Sequence, residues 1–297
     1  MTLQITTSPS ARTDAFTFYA TASASFLESR VDTYVENLEG FFNCDEAILS
    51  WLRNVWLPEE TEHGRLLKRY VTRTWPEFDW DHGFTLFSAR YIPQCEHIKL
   101  RPSPGLEALA RCVTETGATM IYRCIGAYTT DPKLKRLMRR ISTDEIRHFK
   151  QFRDIHQFQD QSEGNGFLRK ARTILARSEL VRNEDLALSF EPLNHSWTGS
   201  PPFTTWSYAE FLAGAARVMK AHFPFDQAAR MLVRPLNTRS YASRHAASIL
   251  AALVTRRFLH AGRRFRGNES NTSRPAHWFR NVRGWRCFPA QGSGLIS

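Results

Sequence analysis

No apolar run in this chain approaches the roughly 20 residues that a bilayer-spanning helix needs; HAASILAALV at 245–254 is too short. The N-terminal MTLQITTSPSARTDAF has no apolar segment of the kind that makes a secretory signal. Cysteine is scarce and scattered: Cys44, Cys95, Cys112, Cys124 and Cys287 are odd in number and contain no CxxC pair. This spacing offers neither a disulfide framework nor a thiolate metal site, and reads as reduced thiols in a cytoplasmic protein. Also missing are a glycine-rich nucleotide loop and any alternation of strand and helix patterns.

Helical periodicity is what the sequence does have, at 42% hydrophobic and 23% charged residues, ordinary values for a globular protein. From about Asp14 to Phe42 the apolar positions Phe18, Leu27, Val31, Tyr34, Val35 and Leu38 recur at three- and four-residue steps. GFFNCDE interrupts them, and a second helix is expected from about Glu46 to Trp75, with a kink or bulge where Pro58 removes the hydrogen bond to Asn54. Residues 76–105 read as a crossover. Ser103–Pro104 and Asp131–Pro132 are cap-then-proline starts for helices reaching about Thr129 and Gln159. Hairpin, long crossover, hairpin is the connectivity of an all-α, ferritin-like four-helix bundle over residues 1–160. Further helices at about 167–191, 206–222, 225–233 and 238–260, with a loop at 191–205, are expected to complete the same domain over 161–260.

The net charge is +11. Seven arginines against Glu269 alone give residues 261–297 a local +6, read as a basic, flexible tail. A basic body suits an acidic protein or nucleic acid.

The chemistry is carried by a repeated spacing. WLPEETEHGRLL places Glu60 and His63 three apart, and STDEIRHFKQF places Glu145 and His148 three apart. Residues at that spacing share a helix face and can hold one ion side by side. Each pair lies on the second helix of a hairpin. On the first helices, Glu28 and Glu115 stand 32 and 30 residues earlier, with the turns at the midpoints. Glu36 and Glu39 fall too near the turn, and Asp32 is a weaker competitor for the place of Glu28. Four glutamates and two histidines so converge in a bundle core, the ligand set of di-iron or di-manganese carboxylate sites. Burying four carboxylates together requires cations, and oxygen-rich ligation suits iron or manganese better than zinc. The other histidines have no partner at ligand spacing and read as structural or surface residues.

The residues around these ligands resemble the soluble acyl-acyl-carrier-protein desaturases: Trp56, Glu59, Glu60, His63, Gly64, Leu66, Leu67 and Tyr70 in the first motif, Asp144, Glu145, Arg147 and His148 in the second, and Glu115, Ala118 and Thr119 between them. The likeness covers roughly residues 15–160. It implies Glu28, Glu60, His63, Glu115, Glu145 and His148 as ligands of two iron ions, manganese being possible. It further implies Asp144 and Glu59 as hydrogen-bond partners of the histidines, and Trp56 beside the site as core or electron relay. Thr119, one turn beyond Glu115, is the candidate catalytic hydroxyl, its alternative being a bond to the Glu115 carbonyl. Ala108, Cys112 and Tyr122 on the same stripe are the candidate acyl channel. The implied activity is O2-dependent desaturation of an acyl chain on acyl carrier protein, with a ferredoxin-like donor, in a homodimer, without nucleic acid. A ferritin-like N-oxygenase would bring an extra histidine where Ile141 stands; a ferroxidase or storage bundle would need a cage-forming surface.

Overall fold

The computed structural model describes residues 11–42, 45–96, 101–180 and 184–236. Among them no strand occurs, and the chain is all-α, as the periodicity requires. The helix expected at 238–260 and the tail at 261–297 lie outside the described residues.

The first hairpin is assembled from pieces. Helix α1 (Ala15–Glu28) starts at Asp14, whose side chain accepts from the Thr17 amide, and it ends at Ser29. A second helix, α2 (Val31–Phe41), follows, so the single helix expected over 14–42 is broken at Ser29–Arg30. At the break the partner helix comes close: a Cβ on Gly64 would lie 2.8 Å from the Ser29 amide nitrogen and 3.0 Å from the Glu28 carbonyl carbon. Asp45 caps α3 (Glu46–Trp51). A π-helical turn over Leu52–Trp56, with the Leu57 amide bonded to the Leu52 carbonyl, leads into α4 (Leu57–Thr74). The bulge expected at Pro58 is this turn, where the i−4 ladder cannot be kept.

The crossover is more ordered than the sequence suggested: α5 (Trp80–Glu96) occupies most of it and tolerates Pro93 inside. The second hairpin is uninterrupted. Ser103 caps α6 (Pro104–Tyr128), Asp131 caps α7 (Pro132–Glu163), and Gly164 closes α7 in the left-handed region at φ 60°. Helix α7 thus outruns its expected end by one turn. The stretch expected as one helix at 167–191 is two, α8 (Phe167–Leu180) and α9 (Glu184–His195), the second running into the expected loop. Helices α10 (Tyr208–His222), with a Ser207/Glu210 capping box, and α11 (Phe225–Val233) fall where expected.

Helix α1 packs along α4 and α6 along α7, and α4 meets α7 between the two hairpins. Helices α8, α10 and α11 lie against α6, and α9 and α10 against α1, so the C-terminal helices share the same interior. Phe18 and Tyr19 of α1 and Trp75 at the end of α4 bury fully beside Phe190 and Phe211 of these later helices. Tyr19 stacks on Phe190 at 4.6 Å between centroids and donates to Asn194 Oδ1 at 2.6 Å. Arg111 and Glu107, both fully buried, form a second link: Glu107 accepts from Arg111 and from Arg177 of α8. No described helix is long and apolar enough to cross a membrane.

Candidate metal centre

Where α4 and α7 meet, the structure brings six of the expected residues together in two groups. Glu28, Glu60, His63 and Glu145 form one; Glu60, Glu115, Glu145 and His148 form the other, and in each the candidate ligand atoms lie within 4.8 Å of one another. Glu60 and Glu145 belong to both. Each hairpin therefore supplies one carboxylate and one histidine to its own half and one carboxylate common to the two halves. Five of the six residues are buried and Glu28 is partly so. Asp32, the weaker competitor for the place of Glu28, points outward toward Arg30 at 3.3 Å, and Glu39 pairs with Arg53 at 3.0 Å.

Both histidines turn the same nitrogen inward. His63 Nδ1 lies 3.2 Å from Glu60 and 3.5 Å from Glu145; His148 Nδ1 lies 3.0 Å from Glu60 and 3.6 Å from Glu145. Each outward Nε2 donates to a carboxylate of the other hairpin. Asp144 Oδ2 accepts from His63 at 3.1 Å, and Glu59 Oε2 accepts from His148 at 2.8 Å. Such a bond fixes the tautomer that leaves Nδ1 free for a cation.

The electrostatics show how ill-suited this cluster is to standing alone. Burial, then the charges of Glu60 and Glu145, push Glu28 and Glu115 well above the usual carboxylate range. Burial alone would lower the histidines, but the Glu145 and Glu60 carboxylates beside their inward nitrogens overcome it and push His63 up to about 11 and His148 up to about 12. Without a metal, protons balance the cluster. Even so, Glu145 Oε1 and His148 Nδ1 are buried without a hydrogen bond, an arrangement that costs free energy unless each finds another partner. Four carboxylates and two imidazoles with inward nitrogens, two of their polar atoms left unpaired, are a donor set that could hold metal.

The remaining expected residues divide. Thr119 is fully buried, and its hydroxyl donates to the Glu115 carbonyl at 2.7 Å, the ordinary helical alternative to a catalytic role. Ala108 and Cys112 are buried in one apolar cluster with Leu38, Leu52, Phe149 and Phe152. Tyr122 lies in a separate cluster with Leu67, Ile125 and Met138, on the other side of the ligand layer. Its phenol donates to Glu28 Oε1. Trp56 is buried, its ring edge-on to His148 at 6.4 Å, and Trp51 meets the same imidazole at 6.4 Å.

Three contributions were not evident from the sequence: Tyr122 as a partner of Glu28, Trp51 against His148, and Arg147, which bonds both Glu59 and Asp144 at 2.8 Å. An aromatic residue on an apolar stripe reads as core, so only its distance of two turns from Glu115 could have drawn attention to Tyr122. The histidines away from the site behave as structural or surface groups where described: His156 is buried against the Gly105 carbonyl, while His82, His195 and His222 are exposed; His97, His245, His260 and His277 lie outside the described residues. Cys95, Cys112 and Cys124 are buried and unbridged, and Cys44 and Cys287 fall outside the described residues.

No family model matches the chain, and no curated protein or solved structure matches it.

Proposed function

We propose that this protein is a ferritin-like, dinuclear metal oxidoreductase, with two iron ions favoured over manganese, that uses O2 and electrons from a ferredoxin-like donor to desaturate an acyl chain carried on acyl carrier protein. The observation that carries the reading is the pair of four-residue groups sharing Glu60 and Glu145. Two carboxylates common to both groups suit two cations held side by side, rather than one closed structural site. The metals would supply oxygen activation: two hydrogens leave the acyl chain as a double bond forms, and dioxygen, with two donor electrons and two protons, ends as two waters. The chain's own residues hold and orient. Glu28, Glu60, Glu115 and Glu145 would hold the ions together with Nδ1 of His63 and His148, Glu60 and Glu145 being common to both groups. Asp144 and Glu59 fix the imidazoles, Tyr122 fixes Glu28, and the surrounding apolar clusters exclude water. The net charge of +11 suits acidic carrier and donor proteins.

A second reading, oxidation of a small molecule or of iron itself, is favoured by one observation: Ala108 and Cys112, the small residues expected beside an acyl chain, are already covered by neighbouring side chains. Anaerobic iron loading followed by oxygen addition, in the presence of acyl carrier protein loaded with saturated chains, separates the two. The proposal expects two irons per chain and an unsaturated product by mass spectrometry. Two irons and oxygen uptake without an alkene would leave the second reading, and one tightly held zinc that survives Glu60→Ala would end both.

A further inference from the structure

The two histidines are held crosswise, and one side chain joins both holders. Arg147 Nη2 donates to Glu59 Oε1 at 2.8 Å and Arg147 Nη1 to Asp144 Oδ1 at 2.8 Å. The other oxygen of each carboxylate accepts from a histidine: Glu59 Oε2 from His148, Asp144 Oδ2 from His63. The result is one chain of bonds, His63–Asp144–Arg147–Glu59–His148, running over the top of the cluster from one half to the other. The guanidinium suits this position because its planar fork presents two donors in fixed directions, which a lysine ammonium does not. It lies half in solvent, its side chain 53% exposed, with Glu59 at 30% and Asp144 at 14%. An ion pair that exposed adds little to fold stability, so stability is a poor account of why it sits there.

We propose that Arg147 is a positioning residue that couples the two halves of the metal centre, setting both imidazoles at once through the two carboxylates it bridges; this rests on the dinuclear reading above. Loss of Asp144 frees one histidine and loss of Glu59 the other, whereas loss of Arg147 loosens both together. Without its fixed partner, each carboxylate can rotate about its last torsion, and the imidazole it holds turns with it, displacing Nδ1 from the place where a cation needs it. The inward ligands themselves make no bond to Arg147, so the effect reaches them only through the histidines.

The test is a titration of the full metal-free chain with Co(II) alone under argon, followed by calorimetry and by the visible bands of the bound ion. Wild type takes up two ions. Arg147→Gln is expected to weaken both by about 10- to 100-fold, the usual cost of removing an outer hydrogen-bond partner, with a melting temperature close to wild type. Asp144→Asn and Glu59→Gln should each weaken mainly one of the two binding events, Arg147→Lys should recover at most one, and Arg140→Gln, an exposed neighbour 3.6 Å from Glu62, should change neither. A second readout needs no metal: in histidine-labelled protein, the Nε2–H protons of His63 and His148 should both exchange faster in Arg147→Gln. Normal affinity for two ions, or a defect confined to one, overturns the coupling, as does unaltered exchange at either imidazole. Wild type that binds no Co(II) overturns the dinuclear reading instead, and the exchange measurement still decides whether Arg147 links the histidines.

Discussion

The two hairpins deliver nearly the same set of ligands by different construction. The α6/α7 pair consists of two continuous helices, of 25 and 32 residues, each started by a cap and a proline, and Glu115 sits well inside α6. The α1/α4 pair contains a helix break directly after Glu28, a π-helical turn before Glu60, and a glycine contact that draws the helices together. A carboxylate in mid-helix is fixed by its own backbone. One at a helix end, like Glu28, needs outside support, and it receives the Tyr122 phenol from the opposite hairpin. Ligand identity thus repeats between the hairpins while the manner of support does not. The Glu115/His148 half is set by regular secondary structure and the Glu28/His63 half by tertiary contacts.

The largest effects come from the residues that belong to neither half alone. Glu60→Ala or Glu145→Ala removes a carboxylate from both groups, and either should abolish nearly all binding of two metals, measured as metal per chain after anaerobic loading. Glu28→Ala and Glu115→Ala each remove one end ligand and should leave one ion bound. If all four variants lose the same amount, the halves are not separable and the comparison fails.

Gly64→Ala tests the tertiary construction of the first half. The added methyl meets the Ser29 backbone at 2.8 Å, and backbone cannot swing aside as a long side chain would. Overpacking of this kind costs roughly 1–3 kcal/mol, and because the displaced segment carries Glu28, uptake of one of the two metals should fall with it. Gly40→Ala in α2 is the control: nothing lies within 4 Å of the new Cβ, so the variant should be neutral or gain up to about 1 kcal/mol from helix propensity. Urea denaturation of both, with metal analysis, checks the pair; a silent Gly64→Ala would show that the contact at Ser29 is not what holds the first half.

Tyr122→Phe keeps the ring in its apolar cluster and deletes the bond to Glu28. About tenfold weaker binding of one ion, with the other unchanged, is expected from the loss of an outer partner. Equal weakening of both ions would mean that the phenol supports the whole centre and not only the half built on a helix end.

How far the sequence reached follows the same division. The second hairpin was legible almost residue by residue, because Ser103–Pro104 and Asp131–Pro132 are local signals, and local signals act through the nearest turn. Both Glu-x-x-His pairs were legible for the same reason. The break after Glu28 was not, since the apolar periodicity runs through Ser29 and Arg30 undisturbed, and the close approach of Gly64 to this point is a relation between two helices. Helix α5 was hidden behind proline and glycine residues that read as loop, although Pro93 is accommodated within it. Glu59 and Asp144 could be picked out as neighbours of ligands, but their crossing to the opposite histidines, and Arg147 between them, are relations between helices that spacing along one chain does not encode. Ala108 and Cys112 stood out for their small size, but that they share one buried cluster with Phe149 and Phe152 is again a relation between helices.

The smallest effect concerns how the open end of the regular hairpin is closed. There α7 meets the start of α6: Glu163 accepts from the Gly105 amide at 2.7 Å and from Ser103 at 2.5 Å, and His156 Nδ1–H donates to the Gly105 carbonyl at 2.7 Å. His156 is 1% exposed. Burial lowers its pKa below the ordinary imidazole value, with Lys170 acting in the same direction and the Gly105 bond, Asp160 and Glu163 opposing. The folded state therefore keeps His156 neutral at a pH where the unfolded chain, titrating near 6.5, already takes up a proton. With more protons bound in the unfolded state, stability is complete above about pH 6.5 and declines as pH falls below it toward the folded value. His156→Asn retains a donor in the place of Nδ1 and cannot titrate. Metal-free wild type and variant, unfolded in urea at pH 7.5 and 5.5, share every other ionisable group, so those contributions cancel in the difference. Wild type should lose more stability on acidification than the variant does. Equal losses would show that the proton on His156 does not distinguish folded from unfolded chain.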